Sequence, residues 1–362
     1  SDFRGPTLSA LAAVETCAIV VNATNGIEHA TRRMMDYARD RGLARVLVIN
    51  RIDTECNLSA LVEELREEFG TECLPINLPS GNASAVADCF FKPDGDSDFS
   101  SVAEAHQRII DQVVEINKTV MDHYLDLGEG GLKGSELHDA FEQCLREGHL
   151  VPICFVSART GAGVSELLNL IERLLPNPRE GNPPPFVKGS GSQAQPITAE
   201  ADPGKHVIAD VFKIVNDPFV GKLSIFRIYQ GTIRRDTQLF IDDGRKPFKV
   251  GHLFRIQGKD HLEIDSAVAG DIAAVAKIDE IHFDAVLHDS HDEDQIHLKP
   301  LDYPSPMFGL AIEPAHKGQE QKLATALARL SEEDPCFRVE HNLELNETVI
   351  RGLSDLHLKL ML

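Results

Sequence analysis

The chain has 362 residues and a formal net charge of -21, with 42% hydrophobic and 26% charged residues. This composition is typical of a soluble globular protein with two or three domains, and the acidity argues against general binding to nucleic acid or anionic membranes. No uncharged apolar stretch reaches membrane-spanning length, and the N-terminus lacks the basic and apolar segments of a signal peptide.

Short apolar runs alternate with amphipathic helical patterns over residues 1–180. In chain order the patterns predict a strand at 17–21, a helix at 27–42, a strand at 45–50, a helix at 58–69, a strand at 151–156 and a helix at 164–175. Buried strands that alternate with helices form parallel sheets with crossover helices. We therefore expect residues 1–180 to form a parallel α/β domain.

A long interruption separates the second and third of these strands. Residues 77–148 carry helical patterns of their own at 102–125 and 135–147. Because this segment is too long for a loop, we expect an inserted subdomain. Residues 181–205 then concentrate proline, glycine and serine, a composition that predicts an extended linker.

The second half of the chain changes pattern twice. Residues 206–302 show short alternating strands broken by turn residues, which predicts an antiparallel β-barrel. Residues 303–362 predict a strand, a helix, two further strands and the start of a second helix near Ser354. This βαββα order is the beginning of a ferredoxin-like split-βαβ fold that lacks its last strand. The expected fold class is therefore multi-domain α/β plus β.

Two short polar motifs directly follow strands of the predicted parallel sheet. Asn50-Arg51-Ile52-Asp53 follows the second strand, and Ser157-Ala158 follows the third. Because the carboxyl ends of parallel strands meet at one edge of a sheet, the loops there can converge on one ligand. The two motifs are therefore expected to form one binding site.

The residues of these motifs suit a guanine base. The Asp53 carboxylate has two acceptor oxygens for guanine's ring N–H and exocyclic amine, a donor pair that adenine lacks. Asn50 is expected to brace the neighbouring loop and approach the imidazole edge, and Arg51 to cover the base face. The Ala158 N–H can donate to the guanine carbonyl oxygen, while Ser157 is small and can hold the Asp53 loop.

Each candidate also has a purely structural explanation. An Asn-x-x-Asp after a strand is common turn chemistry, and Ser-Ala alone carries little information, so only their joint placement favours base recognition. The histidines and aspartates between 282 and 297 could hold a metal ion, although a solvated loop is the more common outcome. His357 is expected to be structural rather than catalytic.

Over nearly its whole length the chain resembles the elongation factor G family of translational GTPases. Residues 50–53 resemble the family's Asn-Lys-x-Asp motif, and Ser157-Ala158 resembles its Ser-Ala motif. Asp2-Phe3 is similar to the end of Asp-x-Pro-Gly-His-x-Asp-Phe. The insertion before residue 151 resembles the extra subdomain that elongation factor Tu lacks.

Four further segments carry the resemblance into the second half of the chain. Residues 227–232 and 269–272 resemble the Arg-Val-Tyr-Ser-Gly-Thr and Ala-Gly-Asp-Ile segments of domain II. Residues 331–335 and 352–358 resemble Glu-Glu-Asp-Pro and Gly-x-Gly-Glu-Leu-His-Leu of domain III. The last two are the most specific, because no generic requirement of the fold explains them.

Three substitutions depart from the family pattern. Arg51 replaces a lysine, Ser354 replaces the second glycine and Asp355 replaces a glutamate. These differences suggest a divergent paralogue rather than the housekeeping translocase. Because Arg51 can still stack on a base, we expect base binding that is weakened or unchanged.

The resemblance implies a partial P-loop GTPase-type domain at 1–180, domain II at 206–302 and a partial domain III at 303–362. The phosphate loop, the first switch and the metal-coordinating aspartate are expected before Ser1, and the chain contains no Gly-Lys-Ser or Gly-Lys-Thr segment. We therefore expect the sequence to be truncated at both ends and not to hydrolyse GTP by itself.

The resemblance also implies the ligands and partners. The expected ligand is GTP or GDP, with Mg²⁺ in the intact protein held by residues outside this chain. The expected partner is the ribosome, through its RNA and proteins, for a monomer that does not contact membranes. Seven scattered cysteines without a CxxC pair favour a reducing, cytoplasmic location.

Three functional hypotheses follow from the sequence. The first is a fragment of a ribosome-associated GTPase that acts in translation elongation, by translocation or a related ribosomal step. The departures at Arg51 and Ser354 leave a non-hydrolysing, ribosome-binding regulatory paralogue as the alternative. The third is an adenine-dinucleotide enzyme, against which the absence of a Gly-x-Gly-x-x-Gly segment argues.

Overall fold

The computed structural model describes residues 4–128, 134–182, 184–191, 194–300, 302–342 and 347–362. The chain forms two compact units, one of residues 14–182 and one that joins residues 1–13 to 183–362. We call them the α/β unit and the β-rich unit. Helix α1 (Arg4–Leu11) belongs to the β-rich unit, and the Asp2-Phe3 motif lies outside the described residues.

The α/β unit contains a parallel sheet with helices between its strands. Its elements are β1 (Thr16–Asn22), α2 (His29–Asp40), β2 (Ala44–Asn50), α3 (Leu58–Phe69), β3 (Cys73–Pro75), β4 (Asn77–Ser80), β5 (Ala85–Asp88), α4 (Val102–Glu115), α5 (Lys118–Leu127), α6 (Gly134–Glu147), β6 (Val151–Val156) and α7 (Val164–Arg173). The sheet has the order β1-β2-β6-β3 with all neighbours parallel, which confirms the predicted parallel α/β sheet. The fourth strand, β3, has only three residues and no sequence prediction of its own.

Apolar side chains from the inserted segment pack into the same core as the sheet. Val102 of α4 and Phe141 of α6 are buried in one cluster with Val48 and Phe155. The helix predicted at 102–125 is two helices, because Asn117 caps the second one through its side-chain oxygen. The insertion therefore stabilises the sheet rather than forming a core of its own.

Asn77 joins the start of the insertion to the central strand β6. Its side-chain oxygen accepts from the Phe155 N–H at 2.7 Å, and its amide donates to the Phe155 carbonyl at 3.1 Å. Asn77 is 1% exposed. The Asn77 side chain thus forms the hydrogen bonds with β6 that the backbone of a neighbouring strand would otherwise form. It helps to position the residues that follow β6.

The β-rich unit consists mainly of strands, which form several sheets. In chain order its elements after α1 are β7 (Phe186–Lys188), β8 (Gln195–Ile197), β9 (Ile208–Asp217), β10 (Gly221–Gln230), β11 (Thr232–Arg234), β12 (Gln238–Ile241), β13 (Phe248–Lys249), β14 (Leu253–Gln257), β15 (Asp260–Ile264), β16 (Ser266–Val268), β17 (Ile272–Ala276), β18 (Val286–His288), β19 (Ile296–Leu298), β20 (Phe308–Ile312), α8 (Glu320–Glu333), β21 (Arg338–Asn342), β22 (Glu347–Gly352) and α9 (Asp355–Met361). Eight of the strands form an antiparallel sheet of order β13-β12-β18-β9-β10-β17-β14-β15. This sheet forms a half-barrel around a core that includes Phe226, Leu239 and Leu253, in agreement with the predicted all-β character.

Strands β7 and β8 occupy the segment that the sequence predicts to be a linker. They pair with β19 in a three-stranded sheet of order β19-β7-β8. Phe186 of β7 packs against Ile296 and Leu298 of β19. The proline-rich composition cannot indicate this pairing, because the partner strand lies far along the chain.

The C-terminal part of this unit has the predicted βαββα order. Its antiparallel sheet has the order β20-β22-β21, and α8 and α9 pack against it. Leu327, Phe337, Ile350 and Leu358 form its buried core. Throughout the described part of the chain, every helix is too short or too polar to traverse a lipid bilayer.

Candidate functional site

The two polar motifs meet at the carboxyl edge of the parallel sheet. Asn50 is the last residue of β2, and Ser157 directly follows the neighbouring strand β6. The strands pair in parallel with Asn50 opposite Val156, so the loops that leave them lie side by side. This juxtaposition is the one that the sequence predicts.

Asp53 is held by the Ser157 hydroxyl. The Ser157 Oγ donates to the Asp53 Oδ1 at 2.6 Å, and the Asp53 side chain is 11% exposed. This hydrogen bond, aided by the Arg159 guanidinium, keeps the pKa of the Asp53 carboxyl below its usual range. Asp53 is therefore an ionised acceptor with a fixed orientation.

Asn50 braces the neighbouring loop, as the sequence predicts. Its Oδ1 accepts from the Ala158 N–H at 3.0 Å and from the Arg51 N–H at 2.8 Å. The Ala158 N–H, predicted to face a guanine carbonyl, thus donates to an oxygen of the protein itself. Both loops are joined by one side-chain amide.

Arg51 is an exposed residue in a strained backbone conformation. Its φ is +69°, in the left-handed region that costs a residue with a side chain about 1–3 kcal/mol. The Thr54 hydroxyl stabilises this turn by donating to the Arg51 carbonyl at 2.7 Å. Such outliers cluster at binding sites, which supports a functional role for this loop.

The sequence motifs do not include Arg159, although it directly follows Ser157-Ala158. Its guanidinium forms an ion pair with Asp53 Oδ2, while 78% of the Arg159 side chain is exposed. The sequence indicates this contact only through the position of Arg159 next to Ala158. The ion pair itself depends on the pairing of β2 with β6, which the sequence does not show.

The backbone of the loop that carries Arg159 is well fixed. The Ser157 N–H donates to the Ala162 carbonyl at 2.8 Å, and the Gly161 N–H donates to the Ser157 carbonyl at 2.8 Å. A Cβ at Gly163, which has a positive φ, would collide with the Phe155 carbonyl oxygen. The loop backbone is therefore held by its own hydrogen bonds, while the Arg159 side chain is mostly exposed.

His357 forms a buried pair with Asp334. Its Nε2 lies 3.1 Å from the Asp334 Oδ2, and the two side chains are 5% and 8% exposed. The Leu353 N–H donates to the His357 Nδ1 at 3.0 Å, so the ring proton lies on Nε2 and is donated to Asp334. The signatures at 331–335 and 352–358 thus meet in one polar junction, which agrees with a structural role for His357.

Two residues of β10 bind the turn that directly follows helix α1. The Tyr229 hydroxyl donates to the Ala12 carbonyl. The buried Arg227 donates to the Ala13 carbonyl at 3.3 Å. Carbonyl groups at the end of a helix have no partner within it, and a cation there is favourable to the helix dipole. The signature at 227–232 therefore positions α1 within the β-rich unit.

The candidate metal cluster is engaged in internal hydrogen bonds. His282 Nε2 lies 2.8 Å from Asp242 Oδ2, and its Nδ1 lies 3.0 Å from the Phe283 carbonyl. The ring nitrogens of His288 lie 2.8 Å from the Ser290 carbonyl and 2.6 Å from the Asp242 carbonyl. His288 is only 1% exposed, so it is a buried residue and does not lie in a solvated loop as expected. Among the described residues, no three or more His, Cys, Asp or Glu side chains are arranged to hold a metal ion.

The His282–Asp242 pair predicts a pH-dependent stability of the β-rich unit. The hydrogen bond that His282 donates to the Asp242 carboxylate raises the pKa of His282 from 6.5 to about 9. The stabilisation is thus fully present below about pH 6.5 and is lost as the pH rises through 9. Urea unfolding over this range, followed by NMR signals of the β-rich unit, should show a stability difference between the wild type and His282→Gln that shrinks with rising pH.

His316→Gln serves as the control for this measurement, because His316 is exposed. This variant should follow the wild type across the pH range. A His282→Gln variant whose stability stays parallel to that of the wild type from pH 6.5 to 9 would contradict the assigned role of the pair.

Three protein families match consecutive parts of the chain. Residues 1–177 match the Elongation factor Tu GTP binding domain, residues 206–286 match Elongation factor G domain 2, and residues 303–362 match Elongation Factor G, domain III. Their order along the chain is the order of the three resemblances in the sequence.

Individual proteins match over the whole chain. Proteins named Elongation factor G from Ureaplasma parvum serovar 3 and Ureaplasma urealyticum serovar 10 are each 27% identical over 385 residues, covering 99% of this chain and 54% of their own length. A crystal structure of a Thermus thermophilus protein has a TM-score of 0.81 and 28% identity, covering 100% of this chain and 53% of that chain. The chain spans about half the length of these relatives.

Proposed function

Because the chain belongs to the elongation factor G-like translational GTPases, we propose that the whole protein binds GTP and GDP and acts at the ribosome in translation elongation. The ordered match to three consecutive families supports this assignment. It favours the elongation GTPase over the non-hydrolysing regulatory paralogue, for which the structure adds no specific observation.

We propose that guanine is recognised by the five residues at the edge of the parallel sheet, Asn50, Arg51, Asp53, Ser157 and Ala158. The observation that carries this proposal is the Asp53 carboxylate, fixed by the Ser157 hydroxyl at 2.6 Å beside the Ala158 N–H. A planar carboxylate accepts hydrogen bonds from two parallel N–H donors, and a backbone N–H donates to a carbonyl oxygen. Guanine presents these complementary groups, whereas adenine does not.

Mg²⁺ would accompany the nucleotide, where it would neutralise charge on the phosphates. The described residues do not fit this ion, since they contain no group of side chains arranged for a metal. The partners that we propose are ribosomal RNA and proteins, and the protein is proposed to act as a monomer in the cytoplasm. All seven cysteines are free thiols, which supports a reducing compartment.

The base specificity is tested with a series of nucleotides. The whole protein should bind GDP about 10- to 100-fold more tightly than IDP, because the missing amine of hypoxanthine leaves a carboxylate oxygen of Asp53 without its charged hydrogen bond. ADP should bind more weakly still. Isothermal titration calorimetry measures these dissociation constants, and equal affinities for GDP and ADP would refute the assignment.

A variant of the same residue sharpens this test. Asp53→Asn offers an amide donor to the second carbonyl of xanthine, so it should prefer XDP to GDP. The control is Glu55→Gln, which removes an equal charge from an exposed side chain two residues away and should retain the preference for GDP.

The elongation role requires a separate measurement. Ribosomes should stimulate phosphate release from GTP by the whole protein. A protein that binds GDP selectively but shows no ribosome-stimulated release would instead be the regulatory paralogue.

A further inference from the structure

Both groups proposed to read the base already have partners within the protein. The Asp53 Oδ2 is paired with the Arg159 guanidinium. The Ala158 N–H donates to the Asn50 Oδ1 at 3.0 Å. Neither pairing is part of the backbone hydrogen bonding between β2 and β6. Asn50 ends β2 and Asp53 lies in the loop after it, and both contact the loop that follows β6.

The internal partners have the same chemistry as the guanine edge. A guanidinium presents coplanar N–H donors in a fork that matches a carboxylate, as do the ring N–H and exocyclic amine of guanine. The side-chain oxygen of Asn50 is an amide carbonyl, which is the same kind of acceptor as the guanine carbonyl. Arg159 and Asn50 together therefore offer the same kinds of donor and acceptor as the base, with one guanidinium nitrogen on the Asp53 Oδ2.

We propose that Arg159 and Asn50 form an internal surrogate of guanine, and that a guanine ligand binds by displacing Arg159 from Asp53 and Asn50 from the Ala158 N–H. This inference rests on the proposed recognition of guanine by the same site. It assigns Arg159 a role as an internal competitor of the ligand.

The structure makes this exchange inexpensive. Arg159 is 78% exposed, and an ion pair at the surface contributes about 0.2–1 kcal/mol, so its guanidinium can leave without a large cost. The Asn50 oxygen keeps the Arg51 N–H as a partner at 2.8 Å when it releases Ala158. The loop backbone need not move, because hydrogen bonds such as Gly161 N–H to the Ser157 carbonyl at 2.8 Å hold it.

Competition of this kind lowers the affinity for any purine that displaces Arg159, and the identity of the base then decides what replaces the broken pairs. Guanine replaces both hydrogen bonds that it displaces, so the exchange conserves the pairing of Asp53 and Ala158. Adenine has neither the donor pair nor the carbonyl, so it would break the pairs without replacing them. The surrogate therefore keeps Asp53 and the Ala158 N–H paired when no guanine is bound.

The test uses guanosine, a neutral probe that makes no phosphate contacts, in a chemical-shift titration of the Ala158 amide in the full chain. Arg159→Ala should bind guanosine about two- to fivefold more tightly than the wild type, which is the affinity equivalent of a surface ion pair. Raising the salt concentration from about 0.05 to about 0.5 M should tighten guanosine binding to the wild type but not to Arg159→Ala, because salt screens the competing pair.

Arg179→Ala is the matched control, since it removes the same charge from an exposed residue of the same unit and should leave guanosine binding unchanged. Equal or weaker binding of guanosine by Arg159→Ala, with guanosine still preferred to adenosine, would overturn the surrogate and leave the proposed function intact. A chain that does not prefer guanosine to adenosine, with or without Arg159, would overturn both.

Discussion

His357→Ala is expected to lower the free energy of unfolding of the β-rich unit by about 3–5 kcal/mol. The substitution removes the donor to the buried Asp334 carboxylate, and a hydrogen bond to a charged group contributes about 1.5–3 kcal/mol. It also leaves the Leu353 N–H without its acceptor, which adds about 1–3 kcal/mol. The loss is large because the His357 and Asp334 side chains are buried.

Hydrogen exchange is the appropriate measurement for this variant, because a chain with two compact units need not unfold in one step. Protection of the amides in β22 and α9 should fall in His357→Ala, while protection in the α/β unit should not change. His341→Ala, on the exposed strand β21, is the control. A loss below about 1 kcal/mol would show that the junction is not a stabilising pair.

Asn77→Ala is expected to destabilise the α/β unit by about 2–4 kcal/mol. The Phe155 N–H and carbonyl both lose the Asn77 side chain as their partner, at 2.7 and 3.1 Å respectively. Asn77 is only 1% exposed, so water does not replace it. Each unpaired buried polar group costs about 1–3 kcal/mol. Since β6 leads directly to Ser157, the variant should also weaken the binding of guanosine.

Protection of the β6 amides against hydrogen exchange measures this effect. Asn25→Ala is the control, because Asn25 is exposed and bonded to Glu28 on the surface. Unchanged protection at Phe155 in Asn77→Ala would contradict the view that this side chain replaces a backbone partner of β6.

Three of the four strands of the parallel sheet were predictable because they are local patterns. The apolar runs at 45–50 and 151–156 form β2 and β6, and both are buried along almost their whole length. Such runs report burial on both faces of a sheet, whatever their partners are. The convergence of Asn50 and Ser157 then followed from the rule that ligands lie at the carboxyl ends of parallel strands.

Predictions that depended on distant partners were incomplete. The segment at 181–205 contains β7 and β8, and β7 pairs with β19 about 100 residues later. The two domain III signatures were visible as strings of residues, but the contact between Asp334 and His357 was not. Composition describes a segment by itself and carries no information about which remote segment covers it.

The amino-acid sequence by itself determined the alternation of the main strands and helices at 17–69 and 151–175, the family resemblance, and the residues that we propose to recognise a guanine base. These properties depend on side-chain type and on spacing along the chain. Tertiary structure alone decided that Arg159 pairs with Asp53 and that Asn50 engages the Ala158 N–H. Hydrogen bonds between loops depend on the pairing of β2 with β6, which brings atoms more than 100 residues apart within about 3 Å.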